Sequence, residues 1–447
     1  MNTVKDLENI YRDAVREVDP AGLISSRVRV DGRTLLIRGP DAEISEDLSP
    51  YKQIIVLGIG KASARMASAA ESLLADELSG GFVITKYGHG LPLRKIQVME
   101  AGHPLPDENS VAGARIIEQM AGAADKNTLI INLISGGGSS LFCLPADGIS
   151  LEDKRQTTQT LLASGANIDE MNCIRKHLSK IKGGGLARIA FPARLINLIL
   201  SDVIGDRIDT IASGITAPDP TTFQDALAVV RKYALEDKLP QAVTHHLFLG
   251  VRGDIPETPK AGSPVFNKTV NIILGNNTLA CNAACATAQR LGYDARILST
   301  TLTGEASGAG SYFARLACEI NSGRSGDTLP AIIITGGETT VTLRGKGKGG
   351  RNQEMALAFA CELYRIFPDA RNVFFLSAGT DGSDGPTDAA GAFVTPRLLE
   401  QMQEIAAGAA ARLAENDAYH FFRDTGCLFK TGPTYTNVCD IQILAVI

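Results

Sequence analysis

At 447 residues the chain is long enough for two or three domains with cores of their own. Apolar residues make up 44% and charged residues 21%, with no Trp and 45 Gly in no Gly-X-Y period, which is the balance of a globular protein and not of a fibrous or disordered one. The net charge of -5, without a basic block, argues against nucleic acid as a partner. No stretch reaches the roughly 18 unbroken apolar residues of a membrane span, and residues 1–18 carry charges throughout, unlike a signal peptide. Eight scattered Cys without a Cys-x-x-Cys pair fit a reducing compartment, so a cytoplasmic protein is expected.

Taken in chain order, apolar runs of strand length fall at 53–57, 81–85, 96–100, 128–134, 195–200, 270–274, 295–299, 331–335 and 373–377. Helical patterns fill many of the gaps, for example 61–74, 111–120, 279–291 and 352–366. Unalternating apolar strands separated by helices predict α/β architecture with mostly parallel sheets. The Pro- and Gly-rich stretch 249–268 lacks periodicity and reads as a linker, dividing an N-terminal Rossmann-like domain (1–248) from a C-terminal α/β domain (269–447). The final strand, 440–447, is compatible with either sheet.

Several strands end in short Gly, Ser, Asn, Asp or Thr runs, where open α/β sheets bind ligands. The first is Gly58-Ile59-Gly60-Lys61. It is a poor dinucleotide fingerprint, because the third position is Ser63 and the next strand ends in Thr85-Lys86 where an acid is wanted. A cation at a helix start makes sense if Lys61 shares an anion with backbone N–H groups; a solvated surface Lys is the plainer alternative. His103, in Gly102-His103-Pro104, is a candidate substrate contact or base, or else a structural loop residue. Ser135 to Ser140, with Gly137, Gly138, Ser139 and Ser140, reads as an anion-binding nest or as a tight strand-to-helix turn. Arg175-Lys176, Lys180 and Lys182 lead into Gly183-Gly184-Gly185, a basic junction that a solvated helix face explains equally well.

Gly345-Lys346-Gly347-Lys348-Gly349-Gly350-Arg351-Asn352 is the strongest local signal. Gly349 and Gly350 permit close backbone approach, and Arg351 offers planar recognition of carboxylate or phosphate. A mobile basic loop is the alternative. No Walker or protein-kinase signature occurs. Acids stand at other strand ends: Asp202, Asp206, Glu338, Asp381, Asp384 and Asp388. Each reads alone as a turn or cap residue; together they include candidate Mg²⁺ ligands, of which Asp381, Asp384 and Glu338 are preferred.

In this order these blocks, together with Leu200-Ser201-Asp202-Val203-Ile204-Gly205-Asp206, Gly336-Gly337-Glu338 and Thr380-Asp381-Gly382-Ser383-Asp384-Gly385-Pro386-Thr387-Asp388, resemble the glycerate 2-kinase (MOFRL) family over nearly the whole chain. The resemblance implies two three-layer α/β domains with the active site in the cleft between them. It implies ATP and Mg²⁺ as cofactors, D-glycerate as the acceptor, and phosphoryl transfer to the C2 hydroxyl. It puts the family's lysine on Lys61, its arginine on Arg351, and an aspartate on Asp202, with Gly60, His103, Lys176, Asn352 and the glycine loops around the substrates. Tyr435 stands where a smaller residue is expected in relatives. An NAD(P)H-dependent hydroxypyruvate reductase, a kinase of another small hydroxy acid and a non-catalytic binding protein are the rival readings. Partners expected are small molecules, with a homodimer left open.

Overall fold

The computed structural model describes residues 2–40 and 42–447. The chain divides into two compact units, Pro20–Leu274 and the residues up to Asp19 together with Gly275–Ile447.

In the unit Pro20–Leu274 a six-stranded sheet runs in the order Ile96–Ala101, Gly80–Lys86, Gln53–Ile59, Thr128–Ile134, Arg194–Leu200, Thr269–Gly275. The four pairings among the first five strands are all parallel. The order reverses between Gln53–Ile59 and Thr128–Ile134, the point at which doubly wound sheets open a crevice beyond their carboxyl ends. Thr128–Ile134 is buried at every residue, which is why its sequence TLIINLI shows no alternation. Ile59, Ile84, Ile134 and Ile199 pack with Ala114 and Ile117 of the helix Glu108–Ala123 and Leu186 of Gly185–Ala190 into one apolar cluster.

Two features of this unit differ from expectation. The strand Thr269–Gly275, expected to open the second domain, is the edge of this first sheet, tied by the Asn197 amide donating to the Val270 carbonyl at 3.0 Å and by Thr216 donating to Asn271 at 2.7 Å. A three-stranded antiparallel meander, Val28–Asp31, Thr34–Arg38 and Glu43–Asp47, was not legible, because its strands are short and its sides mostly exposed.

The second unit holds a mixed six-stranded sheet in the order Asp294–Leu302, Ala331–Gly337, Asp440–Val446, Val373–Gly379, Gly391–Val394, Leu428–Phe429. Asp440–Val446, whose sheet was left open, lies antiparallel between Ala331–Gly337 and Val373–Gly379 and is buried throughout. Helices Ala306–Asn321 and Arg351–Ile366 build the core around Phe313, Phe359 and Phe375, the last two stacked at 4.4 Å.

The helix Thr3–Glu17 also belongs to this unit. It lies against Asn277–Arg290, buries Leu7, Ile10, Tyr11 and Ala14, and its Tyr11 hydroxyl donates to the Gly379 carbonyl at 2.6 Å. In the sequence this segment stands out only for its charges; its buried residues recur at helical spacing, and which sheet they cover is a tertiary fact. Among the described residues no helix is long and apolar enough to cross a membrane, and all eight cysteines are free.

Candidate active site

In the first unit the two loops at the strand-order reversal are locked together. The Lys61 N–H donates to the Gly136 carbonyl at 2.9 Å, the Ala62 N–H to the Ser135 hydroxyl at 3.0 Å, and the Ser135 N–H to the Ile59 carbonyl at 2.9 Å. Gly137 takes φ +84, and a Cβ there would stand 2.9 Å from His103 Cδ2 and 3.2 Å from Lys61 Cγ. Lys61, His103 and Gly137 are therefore immediate neighbours. The helix that follows Lys61, Ser63–Leu74, has no side-chain cap, and neither has the short helix Gly138–Leu141. Two helix starts and a lysine thus gather positive potential at one edge of the sheet.

Burial, and then the charges of Lys61 and Lys86, push His103 down to about 4. It is a neutral imidazole near neutral pH, able to accept a hydrogen bond. Asp202 stands two residues beyond the strand Arg194–Leu200, at the same edge of the sheet as Lys61 and Ser135–Ser140. Ser139 and Ser213 share a hydroxyl–hydroxyl bond of 2.9 Å. Ser140 turns back on its own loop, its hydroxyl donating to the Gly137 carbonyl at 3.2 Å.

Lys176 has a different role from the one expected. Its side chain is 4% exposed and its ammonium sits 3.2 Å from the fully buried Asp219 and 3.9 Å from Asp209. This is a buried ion pair inside the fold, and it turns Lys176 from a candidate substrate contact into a structural residue.

In the second unit Arg351 opens the helix Arg351–Ile366. Its Nε and Nη2 fork onto the two oxygens of Asp440 at 2.5 and 2.8 Å, and Nη1 meets Glu338 at 3.0 Å. Burial works against the guanidinium charge, but the bonds and fields of Asp440 and Glu338 outweigh it and hold its pKa above the ordinary range. Asp440 is itself buried, and burial raises its pKa against the pull of Arg351. The strand register explains the meeting: Asp440 pairs with Gly337 on one side and Gly379 on the other, the last residues of their strands. An antiparallel strand thus begins where the parallel ones end, so its first residue joins their C-terminal edge. Asp440 was missed in the sequence, where it reads as the start of an apolar strand.

The glycine loop before Arg351 is docked, not mobile. The Gly347 N–H donates to the Glu415 carbonyl at 2.9 Å, the Lys348 N–H to Asp417 at 3.0 Å, and the Lys348 ammonium lies 4.6 Å from the Tyr419 ring centroid.

Two further expectations are corrected here. Asp384, expected as a metal ligand, spends its oxygens on the helix start: it accepts the Asn352 N–H at 3.0 Å and the Gln353 N–H at 2.8 Å. Burial pushes it up to about 6 in spite of these bonds. It is a cap on a buried helix end, which is why Gly350 must be glycine: a Cβ there would lie 2.3 Å from the Asp384 carboxyl. Asn352, expected at the substrate, is fully buried, accepting from the Ser377 hydroxyl at 2.6 Å and donating to Asp384 at 3.3 Å.

Asp381 and Glu338 remain at the open edge. Ser383 donates its N–H and its hydroxyl to Asp381 Oδ1, both at 2.9 Å. Asp381 Oδ1 and Asp440 Oδ1 each come 3.4 Å from the place a Cβ on Gly379 would take. Among the described residues no three His, Cys, Asp or Glu are grouped to hold a metal by themselves. A pair of carboxylates fits Mg²⁺ all the same, since that ion takes one or two carboxylates and completes its shell with phosphates and water.

Comparison with known proteins decides the family. Residues 6–248 match a domain of unknown function, DUF4147, and residues 331–440 match the MOFRL family. The D-glycerate 2-kinase of Thermotoga maritima is 40% identical over 428 residues, 95% of this chain and 99% of that one. The chain belongs to the MOFRL glycerate kinase family. A crystal structure of glycerate kinase from Thermotoga maritima aligns with a TM-score of 0.85 at 37% identity, covering 100% of both chains. A putative hydroxypyruvate reductase of Agrobacterium vitis is 42% identical over 399 residues, 89% of this chain and 88% of that one. In this chain Lys61 follows Gly60 just before the helix Ser63–Leu74, and Arg351 follows Gly350 at the start of the helix Arg351–Ile366.

Proposed function

We propose that the protein is an ATP-dependent glycerate 2-kinase, transferring the γ-phosphoryl group of ATP to the C2 hydroxyl of D-glycerate. The observation that carries the reading is the pair of prepared cations, Lys61 in the locked loops of the first unit and Arg351 on its carboxylate fork in the second, in a chain similar along nearly its whole length to a D-glycerate 2-kinase. Phosphoryl transfer asks a protein mainly for position and charge neutralisation, and fixed cations at glycine-rich helix starts supply both.

In this mechanism Arg351 neutralises equatorial phosphoryl oxygens while Asp440 and Glu338 keep its plane fixed. Lys61 and the N–H groups of the two uncapped helices hold an anionic group of either substrate. Asp202 orients the acceptor hydroxyl and takes its proton, with the neutral His103 beside Lys61 as a hydrogen-bond acceptor for the same substrate. Asp381, with Glu338, would hold Mg²⁺, which would supply charge neutralisation of the phosphates when bound.

The reductase reading meets a specific obstacle. In the observed strand order the second strand of the nucleotide-binding half ends at Lys86, where a dinucleotide ribose requires an acid.

The test is product identification with D-glycerate, ATP and Mg²⁺. Enolase acts directly on 2-phosphoglycerate and needs a mutase for the 3-isomer. Signal with enolase alone is expected. Signal only with mutase moves the reacting hydroxyl to C3; NADH oxidation on hydroxypyruvate without ATP turnover replaces the kinase with the reductase.

A further inference from the structure

Among the described residues of the unit Pro20–Leu274, three cations have no carboxylate partner, and only the Cys143 thiol lies close enough to favour the charge of two of them. Lys182 and Lys154 are 2% and 8% exposed. The Lys182 ammonium donates to the Ser139 carbonyl at 2.8 Å and the Ser213 hydroxyl at 3.4 Å, and the Lys154 ammonium to the Leu178 carbonyl at 3.2 Å. Arg175, half-buried on the helix Ile168–His177, makes neither an ion pair nor a hydrogen bond among the described residues. The three feel one another: burial first, then Lys154 and Arg175, drive Lys182 down to about 7. Burial and Arg175 likewise depress Lys154.

Buried cations are as a rule paired. This fold follows the rule one residue away, where Lys176 has Asp219 and Asp209. With no carboxylate beside them, burial favours loss of a proton from Lys182 and Lys154, and a bound anion would instead keep both lysines protonated. The backbone beside them is held in a costly shape: Ala212 and Ser213 both adopt left-handed φ, +49 and +60, ahead of Gly214. That shape presents the Ser213 hydroxyl to Ser139 Oγ at 2.9 Å, to Lys182 and, at 3.4 Å, to the Asn172 side-chain oxygen.

We propose that Lys154, Arg175 and Lys182, with the hydroxyls of Ser139 and Ser213, form an anion site behind the Ser135–Ser140 loop that takes an oxyanion of a substrate, either the carboxylate of a small hydroxy acid or a phosphoryl group. The proposal takes the identity of the substrates from the kinase reading, while binding itself requires no turnover. Arg175 is the ligand-facing member, being the one with residual exposure; the two lysines supply the field and hold the loop.

Calorimetric titration of the full chain tests it, with D-glycerate, glycerol, inorganic phosphate and ATP as probes, on wild type, Arg175→Gln and Lys182→Met. Wild type should bind D-glycerate and not glycerol. Loss of D-glycerate affinity by about tenfold or more in R175Q, with ATP unchanged, identifies the carboxylate. The same loss for phosphate and ATP, with D-glycerate unchanged, identifies the phosphoryl group; both results support the site. R175Q that melts like wild type and binds all four probes as wild type does overturns it, as does wild type that binds none of them. Lys182→Met is the stricter variant, and R175Q keeps the test decisive if that one fails to fold. Anion binding without any phosphoglycerate formed would sink the kinase and leave the site. Turnover with unchanged KM for both substrates in R175Q would sink the site and leave the kinase.

Discussion

Arg351 and Asp440 face each other as a two-pronged pair, Nε on Oδ2 and Nη2 on Oδ1, although 89 positions separate them in the chain. The carboxylate is wholly buried and the guanidinium about one-third exposed, so the pair points its remaining nitrogen outward, toward Glu338 at the open edge. This is the geometry of a cation whose orientation is fixed from behind.

Replacing Arg351 by Lys keeps one charge and loses the fork. A fall in kcat of about 100-fold is expected with the melting temperature little changed, because Asp440 retains a cation nearby. Steady-state kinetics beside thermal melts check it; a variant with wild-type kcat removes Arg351 from the mechanism.

Gly137→Ala introduces a methyl group into the space between His103 and Lys61 at a left-handed backbone. Strain of about 1–2 kcal/mol and displacement of both side chains should follow. The measurement is KM for D-glycerate together with stability, and both are expected to worsen.

Asp384 and Asp381 separate a cap from a metal ligand. Asp384→Ala should cost about 2 kcal/mol of stability, by chemical denaturation, and leave the Mg²⁺ concentration needed for half-maximal activity unchanged. Asp381→Asn should do the reverse, raising the Mg²⁺ requirement with little effect on unfolding. Equal Mg²⁺ dependence in D381N and wild type would remove Asp381 as the ion's holder.

Much of this was visible before any coordinates. Every apolar run read as a strand is one, from the fully buried Thr128–Ile134 to the half-covered edge strands Ile96–Ala101 and Thr269–Gly275. Lys61, Gly137 and His103 read in the sequence as residues of separate loops and are neighbours in the fold. What stayed hidden depends on register and partners. Asp440 reaches Arg351 only because its strand inserts antiparallel, and Asp384 looks identical to Asp381 in a run of turn residues until the helix start above it is seen. Lys182 gave no sign of missing an acid, because a charge pattern does not say which lysine is buried.

His177 carries a pH dependence of stability unrelated to catalysis. Both its ring nitrogens meet acceptors, the Cys173 carbonyl at 2.8 Å and Glu257 at 2.9 Å, which suits the doubly protonated ring. Burial opposes its charge, but these bonds and Asp219 raise it to about 9. The folded form therefore holds a proton that the unfolded form loses near pH 6.5, and the stabilisation is full below that pH and fades as pH rises through about 9. Unfolding free energy should drop by up to ~3 kcal/mol across this window. Glu257, depressed to about 2, adds an opposite loss on acidification, from about pH 4.5 downward. His177→Gln should flatten the alkaline slope in denaturation measured at several pH values; an unchanged slope places the proton elsewhere.

The membership of helix Thr3–Glu17 in the unit that otherwise starts at Gly275 has a consequence during translation. The ribosome must make all of Pro20–Leu274 before any of the residues that Leu7, Ile10 and Tyr11 rest against exist. At roughly 5–20 residues per second the apolar stripe waits tens of seconds in solvent or on a chaperone. Domain dissection inherits the same constraint: Pro20–Leu274 can be produced as one contiguous fragment, whereas the other unit needs two pieces of chain, and a fragment beginning at Gly275 would leave the Gly379 carbonyl without the hydroxyl of Tyr11.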